Sequence, residues 1–163
     1  MPAEIERKFV LDAPPQGVEE HPSESIAQGY LALDGDVEVR VRLLGERAFL
    51  TVKAGGGRRR VEEEVEIGRD RFDALWPLTE GRRIVKRRYR VPAEDALVIE
   101  VDVYEEALAG LVVAEVEFPD DAAADAFATP EWLGREVTDD PRWKNQALAL
   151  HGRPDGGRDS RPA

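Results

Sequence analysis

The sequence predicts a β-rich α+β fold, an antiparallel β-barrel of about eight strands closed around a charged lumen and flanked by a few helices. Two observations predict it. Apolar and charged residues alternate with a period of two along most of the chain, and the charged positions come as like-signed pairs on one strand face after another. In EIERKFVL, Glu4, Glu6 and Lys8 share a face, while Ile5, Phe9 and Leu11 take the other. The pattern returns with Arg40 and Arg42 in VEVRVRL, Glu62 and Glu64 in VEEEVEI, Lys86 and Arg88 in IVKRRYRV, Glu100 and Asp102 in VIEVDV, and Glu115 and Glu117 in VAEVEF. Like charges on one face repel, so no local folding rule asks for these pairs. An ordinary half-buried sheet would turn the charged face to solvent. A closed barrel would turn it inward, where buried charges must be paired, wet or filled by a ligand.

The alternation places strands near residues 4 to 11, 26 to 33, 37 to 44, 48 to 53, 61 to 67, 83 to 91, 97 to 104 and 111 to 118. Short turn signals separate several of them: Asp34-Gly35-Asp36, Gly45-Glu46, Gly55-Gly56-Gly57, and Pro92 to Asp95. Such short connections suit antiparallel meanders. Three helices are expected. Asp70 to Trp76 carries Phe72, Leu75 and Trp76 at helical spacing; Asp120 to Phe127 is alanine-rich; Pro141 to Leu150 has Asp140 as N-cap and proline at its first position. The domain spans 1–150, and residues 151–163, which lack apolar periodicity, are expected to form a disordered tail.

The chain has 163 residues and is 42% hydrophobic, enough for one domain with a real core. Without cysteine it has no disulfide, thiolate zinc site or cysteine nucleophile. MPAEIERK leads directly into the first strand with no secretory pattern, and no stretch approaches a membrane-spanning run, so a cytoplasmic protein is expected. A net charge of −11 argues against nucleic acid as a partner, since that affinity rests on an uncompensated basic surface. Any phosphate site is therefore local and shielded. The expected partner is a small-molecule polyphosphate, with no nucleic acid and no membrane, and a homodimer is left open. The basic residues are almost all arginine, and the lysines are only Lys8, Lys53, Lys86 and Lys144, three of them in the charge-patterned strands. An ammonium does not replace a guanidinium at a shaped site.

Phosphoryl transfer asks a protein for cations around phosphate oxygens and for carboxylates that carry divalent metal. Both halves are present. Lys8, Arg40, Arg42, Lys53, Lys86 and Arg88 can cradle a polyphosphate, the arginines by bidentate contacts and the lysines as point charges. Glu4, Glu6, Asp102, Glu115 and Glu117 offer the hard oxygen ligands that Mg2+ or Mn2+ takes, and two metal sites would let one hold substrate while the other activates water. His21 and His151 lie in a polar loop and at the start of the tail, and read as surface residues. The glycine run at 55–57 is not followed by the residues of a P-loop and reads as a hairpin turn. Trp76, Trp132 and Trp143 read as core or helix-docking residues.

In order along the chain, EIERKFVL, IAQGYL, VEVRVR, LTVK, EGRR with VKRRYR, IEVDVY, AEVEF and RWKNQALAL resemble the CYTH, or triphosphate tunnel metalloenzyme, family over residues 3 to 150. The sequence is most similar to compact bacterial members that hydrolyse inorganic triphosphate. The resemblance implies an antiparallel barrel forming a tunnel, with Glu4, Glu6, Asp102, Glu115 and Glu117 at the metal sites. It implies that Lys8, Arg40, Arg42, Lys53 and Arg88 line the triphosphate path beside Lys86, and that Lys144 reaches in from a C-terminal helix able to plug one mouth. It also implies that Tyr30 and Lys53 form a dyad that helps activate water, an ammonium beside a phenol favouring the phenolate. Glu62 and Glu64 read either as ligands or as supports for lumen cations, Glu100 reads as a lumen support, and Glu63, at the opposite parity, should face outward. Hydrolysis of tripolyphosphate to orthophosphate and pyrophosphate is the expected reaction. The alternatives are a thiamine triphosphatase or adenylate cyclase on the same scaffold, which need a pocket for rings that a 7% aromatic chain scarcely offers, or a non-catalytic polyphosphate- or nucleotide-binding module.

Overall fold

The computed structural model describes residues 5–55 and 61–154; Glu4, Gly56, Gly57 and the expected tail from residue 155 onward lie outside the described residues. Nine strands form one antiparallel sheet: β1 (Ile5–Leu11), β2 (Ser23–Asp34), β3 (Val37–Leu44), β4 (Arg47–Ala54), β5 (Val61–Ile67), β6 (Arg83–Pro92), β7 (Val98–Tyr104), β8 (Val112–Phe118) and β9 (Arg135–Glu136). Their order is β5-β4-β3-β2-β6-β7-β8-β1-β9. The eight strands expected from alternation are all present. β2 begins earlier than expected and carries a bulge between Tyr30 and Ala32, where its register against β3 shifts. β9 has only two residues and pairs with Phe9 and Val10, too short for alternation to reveal.

The expected closure is corrected: among the described residues no ladder of hydrogen bonds joins β5 to β9, so the sheet curls without closing. The end strands explain this. β5, VEEEVEI, is exposed along residues 61–66, and an edge rich in like charge discourages pairing. β9 offers too little backbone for a ladder. The curl itself follows from a single cavity lined by β1, β2, β3, β4 and β8, strands that stand far apart in the sheet order.

Because the inner face is given to charge, most apolar burial lies on the outer face and at one end. Phe9, Leu11, Val101, Ala114, Val116 and Phe118 pack outside under helix α2 (Asp121–Ala126). Asp120 caps that helix, its side chain accepting from the Ala123 amide. Val41 and Ala48 pack beneath Phe72 of helix α1 (Arg69–Leu75). The helical pattern expected through Trp76 changes there into a 3-10 turn over Trp76–Thr79, where Pro77 occupies an early helical position.

The helix expected from Pro141 to Leu150 is broken. Asp140 caps a 3-10 turn over Pro141–Trp143, Lys144 is extended, and helix α3 (Asn145–His151) begins anew. The break turns the Trp143 carbonyl to the Lys8 ammonium at 3.2 Å and lets Asn145 accept from the Tyr104 hydroxyl at 2.7 Å. Trp143 itself is buried with Val10, Ile84, Val113 and Leu148, filling one end of the sheet with an apolar plug. Trp76 stacks on Phe72, and Arg83 lies over its ring. Trp132, read as a core or helix-docking residue, is exposed.

Gly29 makes the seat of the 3-10 turn. A Cβ there would lie 2.5 Å from the Thr79 side chain, and Thr79 is fully buried, donating to the Trp76 carbonyl and accepting from Arg83. Gly29→Ala is expected to destabilise the fold by about 1–3 kcal/mol through overpacking. Urea titration reads this as a lower midpoint at unchanged slope, and an unchanged midpoint would disprove the close approach.

Candidate active site

The period of two delivers the charged residues to one face. Strand pairing sets Lys8 opposite Glu115, Glu6 opposite Glu117, Arg88 opposite Asp102, and Lys53 opposite Glu62. A cavity of about 470 Å³ opens on this face, lined by Glu6 and Lys8 of β1, Gln28 and Tyr30 of β2, Glu38, Arg40 and Arg42 of β3, Lys53 of β4, and Glu115 of β8. Lys144 and Asn145 line it from the C-terminal segment. Lys86, Arg88, Asp102 and Glu117 are not part of that lining; Glu4 lies outside the described residues.

Lys86, Arg88 and Asp102 form the buried part of the inner face. The Asp102 carboxylate, 1% exposed, takes Lys86 Nζ at 2.8 Å on one oxygen, while Arg88 spans both oxygens at 2.8 and 2.9 Å. Burial alone would raise the Asp102 carboxyl, but Lys86 and Arg88 outweigh it and hold the group at about 2. Glu100 adds a contact of 3.4 Å to Arg88. Burial, followed by the Arg88 charge, lowers Lys86, with Asp102 opposing.

Two further cations stand nearby. Burial and the like charges of Arg40 and Arg88 lower Arg42. Arg40 holds Glu38 at 2.9 Å, yet its Nε is buried and has no hydrogen-bond partner. Arg40 thus keeps one buried donor unused, and Arg42 is crowded by like charge. The sequence reading missed Glu38, although its parity with Arg40 and Arg42 in VEVRVRL already placed it inward.

Acidic groups gather across the cavity. Loss of surrounding water, and then the Glu115 carboxylate, push the Glu6 carboxyl up to about 7, against the pull of Lys8. Glu6 still reaches solvent, so water moderates the repulsion. Lys8 Nζ stands 3.7 Å from Glu115. Among the described residues no three acidic side chains converge into a complete metal site.

Tyr30 and Lys53 line the same cavity. Burial, followed by the Glu38 charge, pushes the Tyr30 phenol up to about 12, although Arg40, Gln28 and Arg42 oppose the rise. In this state the phenol keeps its proton at neutral pH. Lys53 Nζ lies 3.9 Å from Glu62, and Glu64 accepts from the Thr51 hydroxyl at 3.0 Å. Glu63 is exposed at the opposite parity, as the alternation requires.

Residues 2–144 match the model of the CYTH domain. The chain is 45% identical over 148 residues to an inorganic triphosphatase of Nitrosomonas europaea, covering 90% of this chain and 97% of that protein. It is 38% identical over 157 residues to an inorganic triphosphatase of Acetivibrio thermocellus, covering 91% and 94%. A crystal structure of an inorganic triphosphatase superposes with a TM-score of 0.78 at 43% identity, covering 92% of this chain and 96% of the other.

Asp102→Asn is expected to cost about 3–5 kcal/mol, because it leaves Lys86 and Arg88 buried without their carboxylate. Asp102 ordinarily titrates at 3.8 and is depressed in the fold, so its stabilisation is complete above pH 3.8 and fades as pH falls toward 2. Urea midpoints across that window should fall for the wild type and stay flatter for Asp102→Asn. Equal midpoints for the two proteins at pH 6 would contradict the anchoring role.

Proposed function

The chain belongs to the CYTH domain family, and on that footing we propose that it is an inorganic triphosphatase, splitting tripolyphosphate with water into orthophosphate and pyrophosphate. One observation carries the reading. Around a single cavity, a guanidinium with an unused buried donor and a second one crowded by like charge face carboxylates that crowd one another. A phosphate chain satisfies the first group and a divalent cation the second, and phosphate oxygens share such cations with carboxylates.

The family is metal-dependent, and the donor chemistry on β1 and β8 fits a hard divalent ion. Glu6, Glu115 and Glu117, with Glu4, would hold Mg2+ or Mn2+, in two sites by our reading. A metal held there would supply Lewis acidity toward phosphate oxygens and toward water near neutral pH. The two oxygens of Asp102 are taken by Lys86 and Arg88, so we assign it to holding those cations in place.

Arg40 and Arg42 grip the phosphate oxygens, with Lys8 and Lys144 as point charges along the chain, while Lys86 and Arg88, held by Asp102 off the cavity lining, add positive charge from behind the wall. Glu62, Glu64 and Glu100 support this wall from neighbouring positions. Water attacks the terminal phosphorus, the bond from that phosphorus to its bridging oxygen breaks, and the oxygen leaves with pyrophosphate. The water's proton passes to the phenolate form of Tyr30, the form that the charge of Lys53 favours. With the phenol near 12, the accepting form is scarce at neutral pH, so turnover climbs on the alkaline side.

Among the described residues Tyr30 is the one aromatic side chain lining the cavity, and it is buried. It offers no stacking platform for the rings of ATP or thiamine triphosphate. Phosphate release should therefore be far faster from tripolyphosphate than from ATP or thiamine triphosphate, and slight from pyrophosphate, which cannot span the cation wall. A panel of these substrates with magnesium, manganese or calcium tests this, and comparable kcat/KM for ATP and tripolyphosphate would sink the specificity.

Tyr30→Phe keeps the ring and removes the oxygen. It should lower kcat by roughly 10²- to 10⁴-fold with KM little changed, and abolish the alkaline rise. Full kcat with an unchanged pH profile would leave Tyr30 as part of the wall only.

A further inference from the structure

Gln28 precedes Tyr30 by two residues in β2 and shares its inward face. It is 3% exposed. Its amide oxygen accepts from Arg42 Nε at 2.7 Å, and its amide nitrogen donates to Tyr30 Oη at 2.7 Å. The orientation of that amide is dictated, because a guanidinium can only donate and so the oxygen must face Arg42. The NH2 group is thereby committed to the phenol. Tyr30 Oη accepts this bond, its own proton cannot point back at the donor, and the cavity that Tyr30 lines is the remaining direction.

Resting on the triphosphatase reading, we propose that Gln28 is a positioning residue for the reaction. It ties the oxygen that handles the water's proton to the guanidinium that grips the phosphate chain, at a fixed separation, and keeps a hydrogen bond on that oxygen once it is charged. Three features favour this over a packing role. A buried amide with both ends engaged is locked in one rotamer and one flip state. The two groups it joins lie on different strands, β2 and β3, in the non-adjacent pair Tyr30 and Arg42, so nothing in the backbone register alone fixes their side chains. The backbone bulge directly after Tyr30 leaves the side chain in need of such a tether.

The test is a double-mutant cycle on tripolyphosphate hydrolysis by the full chain with its activating metal. Gln28→Glu keeps an acceptor for Arg42 but loses the donor to the phenol; Gln28→Met, of similar volume, loses both. Each is made in the wild type and in Tyr30→Phe, and urea midpoints and circular dichroism identify folded variants. In the wild-type background both variants should lower kcat ~10-fold or more, the range in which loss of one aligned donor falls. In the Tyr30→Phe background neither should lower kcat further. KM should rise for Gln28→Met, whose Arg42 has lost its partner. Equal losses in both backgrounds, or wild-type kcat in Gln28→Glu, overturn the positioning role while the triphosphatase reading stands. Should Gln28→Met fail to fold, Gln28→Glu decides by itself. Absence of phosphate release from the wild-type chain would overturn the triphosphatase reading and this proposal with it.

Discussion

The carboxylate of Asp102, clasped by Lys86 and Arg88 and almost wholly removed from water, is the interaction on which the inner face depends. Two cations two residues apart on one face of a strand would repel and lose hydration together. One carboxylate between them, with Glu100 at 3.4 Å from Arg88, makes the arrangement tenable. The charges of Arg40 and Arg88 still reach Arg42, whose guanidinium is lowered by burial and by these like-charged neighbours. The fold thus tolerates a basic wall by compensating it in part, and what is left uncompensated faces a cavity of about 470 Å³.

This inner use of charge determines where the apolar core goes. In a half-buried sheet one face is core and the other is wet. Here the apolar residues of β1, β7 and β8 point outward beneath α2, those of β3 and β4 beneath α1, and one end is sealed by Trp143 and Leu148. The outer helices are short because each covers only a patch of sheet. The C-terminal segment has a different task. Its break at Lys144 places one backbone carbonyl on Lys8 and one amide side chain on Tyr104, so the plug is fastened to the inner face by polar contacts as well as by burial.

Much of this was legible in the chain because a period of two is a strong signal over strands of seven to twelve residues. The parity of Glu6, Lys8, Arg40, Arg42, Lys86, Arg88, Asp102 and Glu115 assigned their common face before any coordinates. What was not legible has physical reasons. β9 is two residues long, so it has no period. The break at Lys144 is imposed by tertiary partners, Lys8 and Tyr104, far away in sequence. Closure was overestimated because alternation gives the faces of strands but says nothing about whether the first and last edges meet. The Tyr30 phenol was expected to be lowered by a neighbouring ammonium, and burial outweighs the cations around it. Gln28 carries no charge, so a reading built on charged pairs passed over it although it lies in the IAQGYL segment.

The inner face mixes the signs, Lys8 beside Glu6 on β1 and Glu38 beside Arg40 on β3, yet each side keeps an excess of one of them. If every inner cation had its own carboxylate, the face would be a neutral network with nothing to offer a ligand, as at Arg47 and Glu66, an exposed pair that satisfies itself. Instead Arg40 and Arg42 gather on β3, and Glu6 with Glu115 on β1 and β8, each group raising the electrostatic energy of its own members. That cost is borne in the ligand-free fold and relieved only by a molecule that is anionic toward one side and shares a cation with the other. Such an arrangement favours a complex over the free protein without requiring an apolar pocket. It also favours the state in which charge shifts toward the leaving oxygen, because fixed cations need no reorganisation as that charge develops. A local excess of positive charge is therefore the means by which a chain of net charge −11 can attract a polyanion in one place and remain repellent to polyanions elsewhere.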